Sequence, residues 1–267
     1  MIGASRESLT KVQESLHSRQ GDLSTLSTEL FAVASLIADE KSLRQNLADS
    51  GQSVAGRQAL IKDILGGKVS VATIEVLGEV VASRWSSDRD LIDAVEILGA
   101  QAAFSSAKSA GTLDRVEDEV FKFGRAIDAS PELQMTLTAP SVATATKAAV
   151  VKDLLANKVD AATLSVLIYF AANLRGRRVD SVVDQLTSLA ADQRNQVVAE
   201  VTSAVALDES QIARLGAALA KITGKQVHVN VAIEPSVIGG ISVKLGEEII
   251  DGTVATRLEN ARRALLA

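Results

Sequence analysis

The sequence predicts a mainly α-helical protein, in which two tandem six-helix-type bundles precede a small α+β C-terminal domain. Three observations support this fold class. Apolar residues recur at helical spacing from Leu9 onward, and the first 111 residues contain no run with a period of two. The helical pattern then repeats at an offset of 90 residues. Near the end of the chain, apolar and polar residues alternate, which is typical of half-buried strands.

The first copy contains six predicted helices, and small polar residues or glycines mark several of their ends. Gly21 ends the first helix and Asp22 caps the second, since glycine and aspartate favour these positions. The Gly66–Gly67 pair closes the fourth helix, and Asp88 opens the sixth. In helix order, the apolar positions are Leu9, Val12, Leu16; Leu23, Leu26, Leu30, Val33, Ile37; Leu43, Leu47; Leu60, Ile61, Ile64, Leu65; Val71, Ile74, Leu77, Val80, Val81; and Leu91, Ile92, Val95, Leu98, Phe104.

Residues 119–174 align with residues 29–84 without a gap, and 17 of the 56 aligned positions are identical. Chance would give about one identity in fifteen, so the match indicates an internal duplication. We therefore predict three domains. They are an extra helical bundle at 1–93, a second bundle at 94–193 and an α+β domain at 194–267. The helix that begins near Asp88 is expected to close the first copy and open the second.

The C-terminal domain reads strand, helix, strand, strand, helix. Residues 197–205 and 227–233 alternate as strands, and a helix between them begins at an Asp208–Gln211 capping pair and ends at Gly224. A second alternating run covers 241–245, with a short return at 249–250. Thr253 is a good N-cap for a last helix. The apolar stripe of that helix is Val254, Leu258, Ala261 and Leu265.

Composition excludes several classes of function. The net charge of −5 gives no attraction to nucleic acid or anionic lipid, and one Trp and one Tyr are too few for base stacking. The chain has no Cys, and its only histidines are His17 and His228, so neither thiolate chemistry nor a histidine metal site is expected. We predict no catalytic residues, no cofactor and no metal.

No targeting or membrane-spanning segment is predicted. The first seven residues include acid and lack an apolar core, unlike a signal peptide. The longest apolar stretch, 161–174, includes Thr163, Ser165 and Asn173 and is too short to cross a bilayer. The protein is therefore expected to be soluble and cytoplasmic, or to be attached to a membrane only through a partner.

Candidate chemical motifs are weak. The Gly239–Gly240 pair lacks the Lys-Ser/Thr of a phosphate loop and is interpreted as a tight turn or a close backbone approach. His228 lies mid-strand without an adjacent acid, and turn or capping roles account for Glu234 and Asp251. One basic cluster remains, with two interpretations: a solvated helix end or a docking site for an acidic partner. Its members are Arg175, Arg177 and Arg178.

The C-terminal stretch resembles the closing signature of the F-type ATP synthase δ subunit, whose mitochondrial relative confers oligomycin sensitivity. Residues 234–246 read Glu-Pro-Ser-Val-Ile-Gly-Gly-Ile-Ser-Val-Lys-Leu-Gly, and an Asp-Gly-Thr turn and an Arg-Leu helix follow. The family usually has Ser where this chain has Thr253, and both hydroxyls can cap a helix. The signature residues are Pro235, Gly239, Gly240, Gly246, Asp251, Gly252, Thr253, Arg257 and Leu258.

The resemblance places one complete δ chain at about 94–267 and makes the residues before it an extra bundle. It implies a non-catalytic stator subunit in the peripheral stalk of F1Fo ATP synthase, at the cytoplasmic face of the bacterial membrane. The implied partners are the N-terminal helix of an α subunit, the C-terminal end of subunit b and other F1 subunits. The alternative is a freestanding helical-repeat adaptor or scaffold.

The resemblance also implies where the α helix binds, in a groove between the first and fifth helices of a bundle. In copy one these positions are Leu9, Val12, Leu16, Ile74, Leu77 and Val81. In copy two they are the 102–104 region, which includes Phe104, with 164–170. Leu167, Ile168, Tyr169 and Phe170 are consecutive, so they cover more than one helix face and predict a second buried surface. Each of these apolar positions is also compatible with a purely core role.

Overall fold

The computed structural model describes residues 1, 3–19, 21–234, 239–245 and 248–254. The described residues form twelve α-helices and a mixed four-stranded sheet, which confirms the prediction of a mainly helical chain with a small α+β domain at its end. The chain divides into two compact units, Met1–Arg194 and Asn195–Ala267. The first unit is entirely helical, and the second contains the sheet.

The first unit contains eleven helices within its described residues. Their bounds are α1 Ala4–His17, α2 Leu23–Asp39, α3 Lys41–Ala48, α4 Val54–Leu65, α5 Val71–Ala82, α6 Asp88–Ser109, α7 Leu113–Asp128, α8 Pro131–Thr138, α9 Thr144–Leu155, α10 Ala161–Ala172 and α11 Val179–Asn195. The bounds of α3, α4 and α5 recur 90 residues later in α8, α9 and α10. This coincidence supports the duplication inferred from sequence.

Small polar residues begin several of these helices. Asp22 caps α2 by accepting from Thr25 N, and Ser53, Ser70 and Ser87 cap α4, α5 and α6 in the same way. Each cap satisfies a backbone N–H that has no partner inside the helix. The predicted starts of α2 and α6 are therefore correct to within one residue.

Helix α6 lies at the centre of the first unit. Its middle part is buried on nearly all sides, and Leu91, Leu98 and Phe104 are fully buried. A continuous hydrophobic core extends from Val12 in α1 to Ala190 in α11. The predicted boundary at residues 93/94 lies inside α6, and the division of the helical region into two domains stays a prediction.

The two copies share a partly buried hydrogen-bond network. The Glu29 carboxylate of α2 accepts hydrogen bonds from Ser70 N at 2.9 Å and from Thr73 Oγ1 at 2.5 Å. Ninety residues later, the Glu119 carboxylate of α7 accepts from Asp160 N at 2.8 Å and from Thr163 Oγ1 at 2.6 Å. In each copy, the second helix is therefore fixed to the start of the fifth.

Glu29 gives the first unit a pH-dependent stability. Burial favours a raised pKa for its carboxyl group, but hydrogen bonds from Ser70 and Thr73 outweigh burial and lower the pKa below its ordinary 4.5. A lowered folded-state pKa stabilises the protein above the unfolded-state value, and this contribution is lost as pH falls through the folded-state pKa. We expect Glu29→Gln to be less stable than wild type at pH 7 and the difference to shrink below pH 4.5. Urea midpoints across pH, followed by circular dichroism, check this, and parallel profiles would contradict it.

The second unit contains β1 Gln196–Ser203, α12 Glu209–Thr223, β2 Gln226–Ile233, β3 Ile241–Leu245 and β4 Glu248–Asp251. The strand order is β2-β1-β3-β4, with β1 parallel to β2 and antiparallel to β3. Helix α12 begins at the predicted Asp208–Gln211 capping box and ends at Gly224, whose φ is 65°. The hydrophobic core of the second unit is small and centres on Ala199, Val201, Leu219 and Val243. Apart from Val254, the predicted last helix lies outside the described residues.

Candidate functional site

The first predicted docking face, between α1 and α5, has a buried floor. Val12, Leu16, Leu77 and Val81 are each at most 3% exposed, and Leu9 and Ile74 are half-buried. Four of the six predicted groove residues therefore belong to the core of the chain. Of these six residues, only Leu9 and Ile74 are accessible to a partner, which would otherwise contact the more exposed residues of α1 and α5.

Charged side chains form the outer rim of this face. Arg19, which follows α1, donates to Glu75 Oε2 at 2.6 Å and to Glu79 Oε1 at 2.7 Å, so it links α1 to α5. Burial favours a lower pKa for the Arg19 guanidinium, but the two glutamates outweigh burial and raise it. Val71, at the start of α5, is 75% exposed. Acidic groups and an exposed apolar residue thus surround the buried floor.

The equivalent face of copy two, formed by the second half of α6 and by α10, is covered by α2. Phe104, Leu167 and Phe170 are at most 1% exposed, Tyr169 is 8% exposed, and Ile168 is half-buried. The Phe31 ring of α2 stacks on the Tyr169 ring with centroids 4.3 Å apart and meets the Phe170 ring edge-on at 6.0 Å. The second face of α10, which the run of apolar residues predicted, is therefore buried within the chain.

Small residues let α2 approach this face closely. A Cβ built on Gly99 of α6 would lie 2.8 Å from the Phe31 ring, so only glycine fits there. Further along, Ser24 and Ser27 of α2 line a cavity of about 200 Å³. The opposite wall is formed by Ala103, Ser106, Ala107 and Ala110, together with Asp160, Ala161, Ala162 and Ser165.

A stripe on α2 distinguishes it from α7, its equivalent in copy two. Ser27, Phe31 and Ala34 are buried at 2%, 6% and 0% exposure. Ninety residues later, Glu117 and Gly124 are half-buried, and Phe121 is 55% exposed. The sequence analysis missed this difference, although the change from Ser27 to Glu117 is a signal that could have revealed it.

The predicted basic cluster is largely engaged inside the chain. Arg175 and Arg177 donate to Glu96 Oε2 at 2.5 Å and 2.9 Å, and Glu96 is fully buried in α6. The Tyr169 hydroxyl donates to Glu96 Oε1 at 2.9 Å. Arg178 pairs with Asp180 and stays 80% exposed, so it alone in the cluster is solvated as a helix-end arginine usually is. Sequence analysis also missed Glu96, because an acid among apolar residues of α6 gives no indication of its partners.

The Glu96 cluster raises the pKa of both Tyr169 and Arg175, for different reasons. Burial, reinforced by the adjacent Glu96 carboxylate, raises the pKa of the Tyr169 hydroxyl. For Arg175, burial favours a lower pKa, but the charges of Glu96 and Asp93 outweigh it and raise the pKa. Arg175 thus remains a cation and Tyr169 remains neutral, as a structural ion-pair cluster requires.

The described part of the C-terminal signature forms a compact turn. Val254 N donates to Gly239 O at 2.9 Å, and Gly252 N donates to Ile241 O at 3.0 Å. Gly240 has a φ of 82°, and a Cβ built there would lie 2.6 Å from Gly252 O. This geometry confirms the predicted close backbone approach. Pro235, Gly246, Arg257 and Leu258 lie outside the described residues, as does the His228 side chain.

The close approach makes Gly240 sensitive to substitution. We expect Gly240→Ala to destabilise the second unit by about 1–3 kcal/mol, because alanine disfavours positive φ and its methyl group would collide with Gly252 O. Gly216→Ala, inside α12, meets only ordinary contacts and should instead stabilise the unit by about 0.5–1 kcal/mol. Amide hydrogen exchange in β1 and β3 would measure both effects. Equal exchange rates in the two variants would contradict the prediction.

No group of three or more His, Cys, Asp or Glu side chains within the described ranges is placed to hold a metal ion. None of the helices in the same ranges has the length and hydropathy of a bilayer-spanning segment. The distinctive features that remain are helix faces, a buried ion-pair cluster and a glycine turn.

Comparison with known proteins identifies the family. Residues 99–265 match the family described as ATP synthase delta (OSCP) subunit. The ATP synthase subunits delta of Streptomyces griseus and Streptomyces coelicolor are each 42% identical to this chain over 269 residues, which cover 99% of this chain and 99% and 98% of theirs. The subunit delta of Thermobifida fusca is 40% identical over 99% of both chains. This chain therefore belongs to the ATP synthase delta (OSCP) subunit family.

Proposed function

We propose that this chain is a non-catalytic stator subunit of an F1Fo ATP synthase, which joins the α/β head to subunit b in the peripheral stalk. The observation that carries the proposal is the similarity to subunits delta along 99% of the chain, a length that includes the extra helical copy. The head is thereby held still while proton flow turns the central shaft, so rotation is used for ATP synthesis.

The physical properties of the chain suit a connector that transmits force. A continuous core through all of the first unit resists deformation, since a close-packed interior has low compressibility. Partner helices would bind by burying apolar surface, and an ordinary stable interface buries roughly 1,600 Å² in total. The first unit would receive the N-terminal helix of an α subunit.

The second unit would bind the C-terminal end of subunit b. Only four described hydrophobic residues form its buried core, which is little for an independent domain. Several large apolar side chains remain exposed on the same unit. These are Val205 at 66%, Ile222 at 72%, Ile233 at 55%, Ile249 at 66% and Ile250 at 43%. A partner helix that covers these side chains would stabilise both the second unit and the complex.

Such a subunit would sit peripherally on the F1Fo complex at the cytoplasmic face of the bacterial membrane. Membranes depleted of this chain test the proposal. We expect them to retain ATP hydrolysis but to lose ATP-driven proton pumping, and addition of the purified chain should restore pumping. Full pumping without the chain, or failure of the folded chain to bind F1 and b, would support the helical-repeat adaptor instead.

A further inference from the structure

The two copies differ in whether their equivalent faces are occupied. In copy two, α2 lies along α6 and α10, with Ser24 and Ser27 toward the start of α10 and Phe31 against Tyr169 near its end. The residues 90 positions earlier in the chain form the equivalent face of copy one, on α1 and α5. The packing of α2 on the copy-two face therefore shows, within the same chain, how a helix binds to such a face.

The exposure of residues on α5 and α10, the fifth helices of the two copies, agrees with this difference. In copy two, Ala162 and Ser165 are half-buried, and Tyr169 and Ala172 are buried. Their equivalents in copy one are more exposed at each position. These are Ala72, Glu75 and Ala82, which are exposed, and Glu79, which is half-buried.

Helix α2 cannot leave the copy-two face without loss of the fold. Leu26, Leu30 and Ile37 on one side of α2 are at most 1% exposed in the common core, while Ser27 and Phe31 on the adjacent side face copy two. Because both sides are buried, release of α2 would expose core residues of both copies. The occupation of copy two is therefore permanent in the folded protein.

We propose that the helical unit binds a single partner helix, on the copy-one face, because α2 permanently fills the equivalent face of copy two. The inference rests on the proposed function, in which the partner helix is the N-terminal helix of an α subunit. Glu75 and Glu79 on the copy-one rim have the uncharged equivalents Ser165 and Tyr169. The partner is thus an amphipathic helix with a cationic side chain that competes with Arg19 for these two carboxylates.

A fluorescent peptide of the N-terminal helix of the α subunit from the same organism tests this with the full-length chain. We expect one peptide per chain by titration calorimetry. The double variant Val71→Lys/Glu75→Lys places two cations on the exposed copy-one face and should weaken binding at least tenfold. The matched control is Ala161→Lys, at the exposed position equivalent to Val71, which should leave affinity unchanged. Thermal melts should show that both variants fold.

Crosslinking supplies a readout that does not depend on affinity. The chain has no cysteine, so a photoreactive maleimide can be attached at a single introduced site, Val71→Cys or Ala161→Cys. We expect the peptide to crosslink from position 71 and not from position 161. Two peptides per chain, or crosslinking from 161 alone, would overturn the inference and leave the proposed function standing. No binding to the wild-type chain would overturn the α contact in the proposed function and this inference with it.

Discussion

Replacement of Phe31 by alanine should destabilise the helical unit by about 3–5 kcal/mol, the range observed for large-to-small changes at buried aromatic residues. Phe31 is 6% exposed, and its ring contacts the rings of Tyr169 and Phe170 across the two copies. The stacked and edge-on pairs are each worth about 0.5–1.5 kcal/mol beyond their buried area. Since Gly99 also packs on this ring, the cavity has little freedom to collapse.

The chain contains its own control, because Phe121 is the equivalent phenylalanine 90 residues later. Phe121 is 55% exposed, so Phe121→Ala should change stability by no more than about 0.5 kcal/mol. Urea unfolding followed by the fluorescence of Trp85, the single tryptophan, would compare the variants. Similar losses from both substitutions would show that the α2 contact with copy two does not stabilise the unit.

Phe31 and Phe121 also show what the sequence could and could not reveal. Local rules placed the helices well, because capping residues and glycines act within one turn of the chain. The repeat placed α8, α9 and α10 from α3, α4 and α5. These two phenylalanines are identical residues at equivalent positions of the repeat, yet Phe31 is buried and Phe121 is exposed. Burial depends on which copy lies against each face, and neither periodicity nor identity specifies that.

The basic cluster was only partly predictable for the same reason. The sequence left open whether its arginines form a solvated helix end or dock onto an acidic partner, and neither interpretation included an ion pair within the chain. In the sequence, 79 residues separate Glu96 from Arg175. An ion pair over such a distance becomes visible only when α6 and the segment after α10 are brought together. For the C-terminal glycines, the residue type itself predicted a close approach, because a position that requires glycine signals its geometry.

The second large effect concerns the charge balance at Glu96. Removal of both arginine charges by Arg175→Met/Arg177→Met should cost about 3–5 kcal/mol, because the carboxylate of Glu96 would remain buried without a cation. Methionine retains an apolar stem, which matters because the Arg177 guanidinium lies 5.6 Å from the centre of the Phe170 ring. Urea midpoints at neutral pH provide the measurement.

Glu96→Gln should cost less than the double arginine substitution. Glutamine can still accept from the Tyr169 hydroxyl, and the side chains of Arg175 and Arg177, at 23% and 26% exposure, can turn toward water. A lost charge-assisted hydrogen bond of this kind is worth about 1.5–3 kcal/mol. The triple variant combines Glu96→Gln with Arg175→Met and Arg177→Met. It should be more stable than the double arginine variant, because it leaves no buried charge unpaired. If the triple variant is the less stable of the two, the cost arises from lost packing and not from an isolated carboxylate.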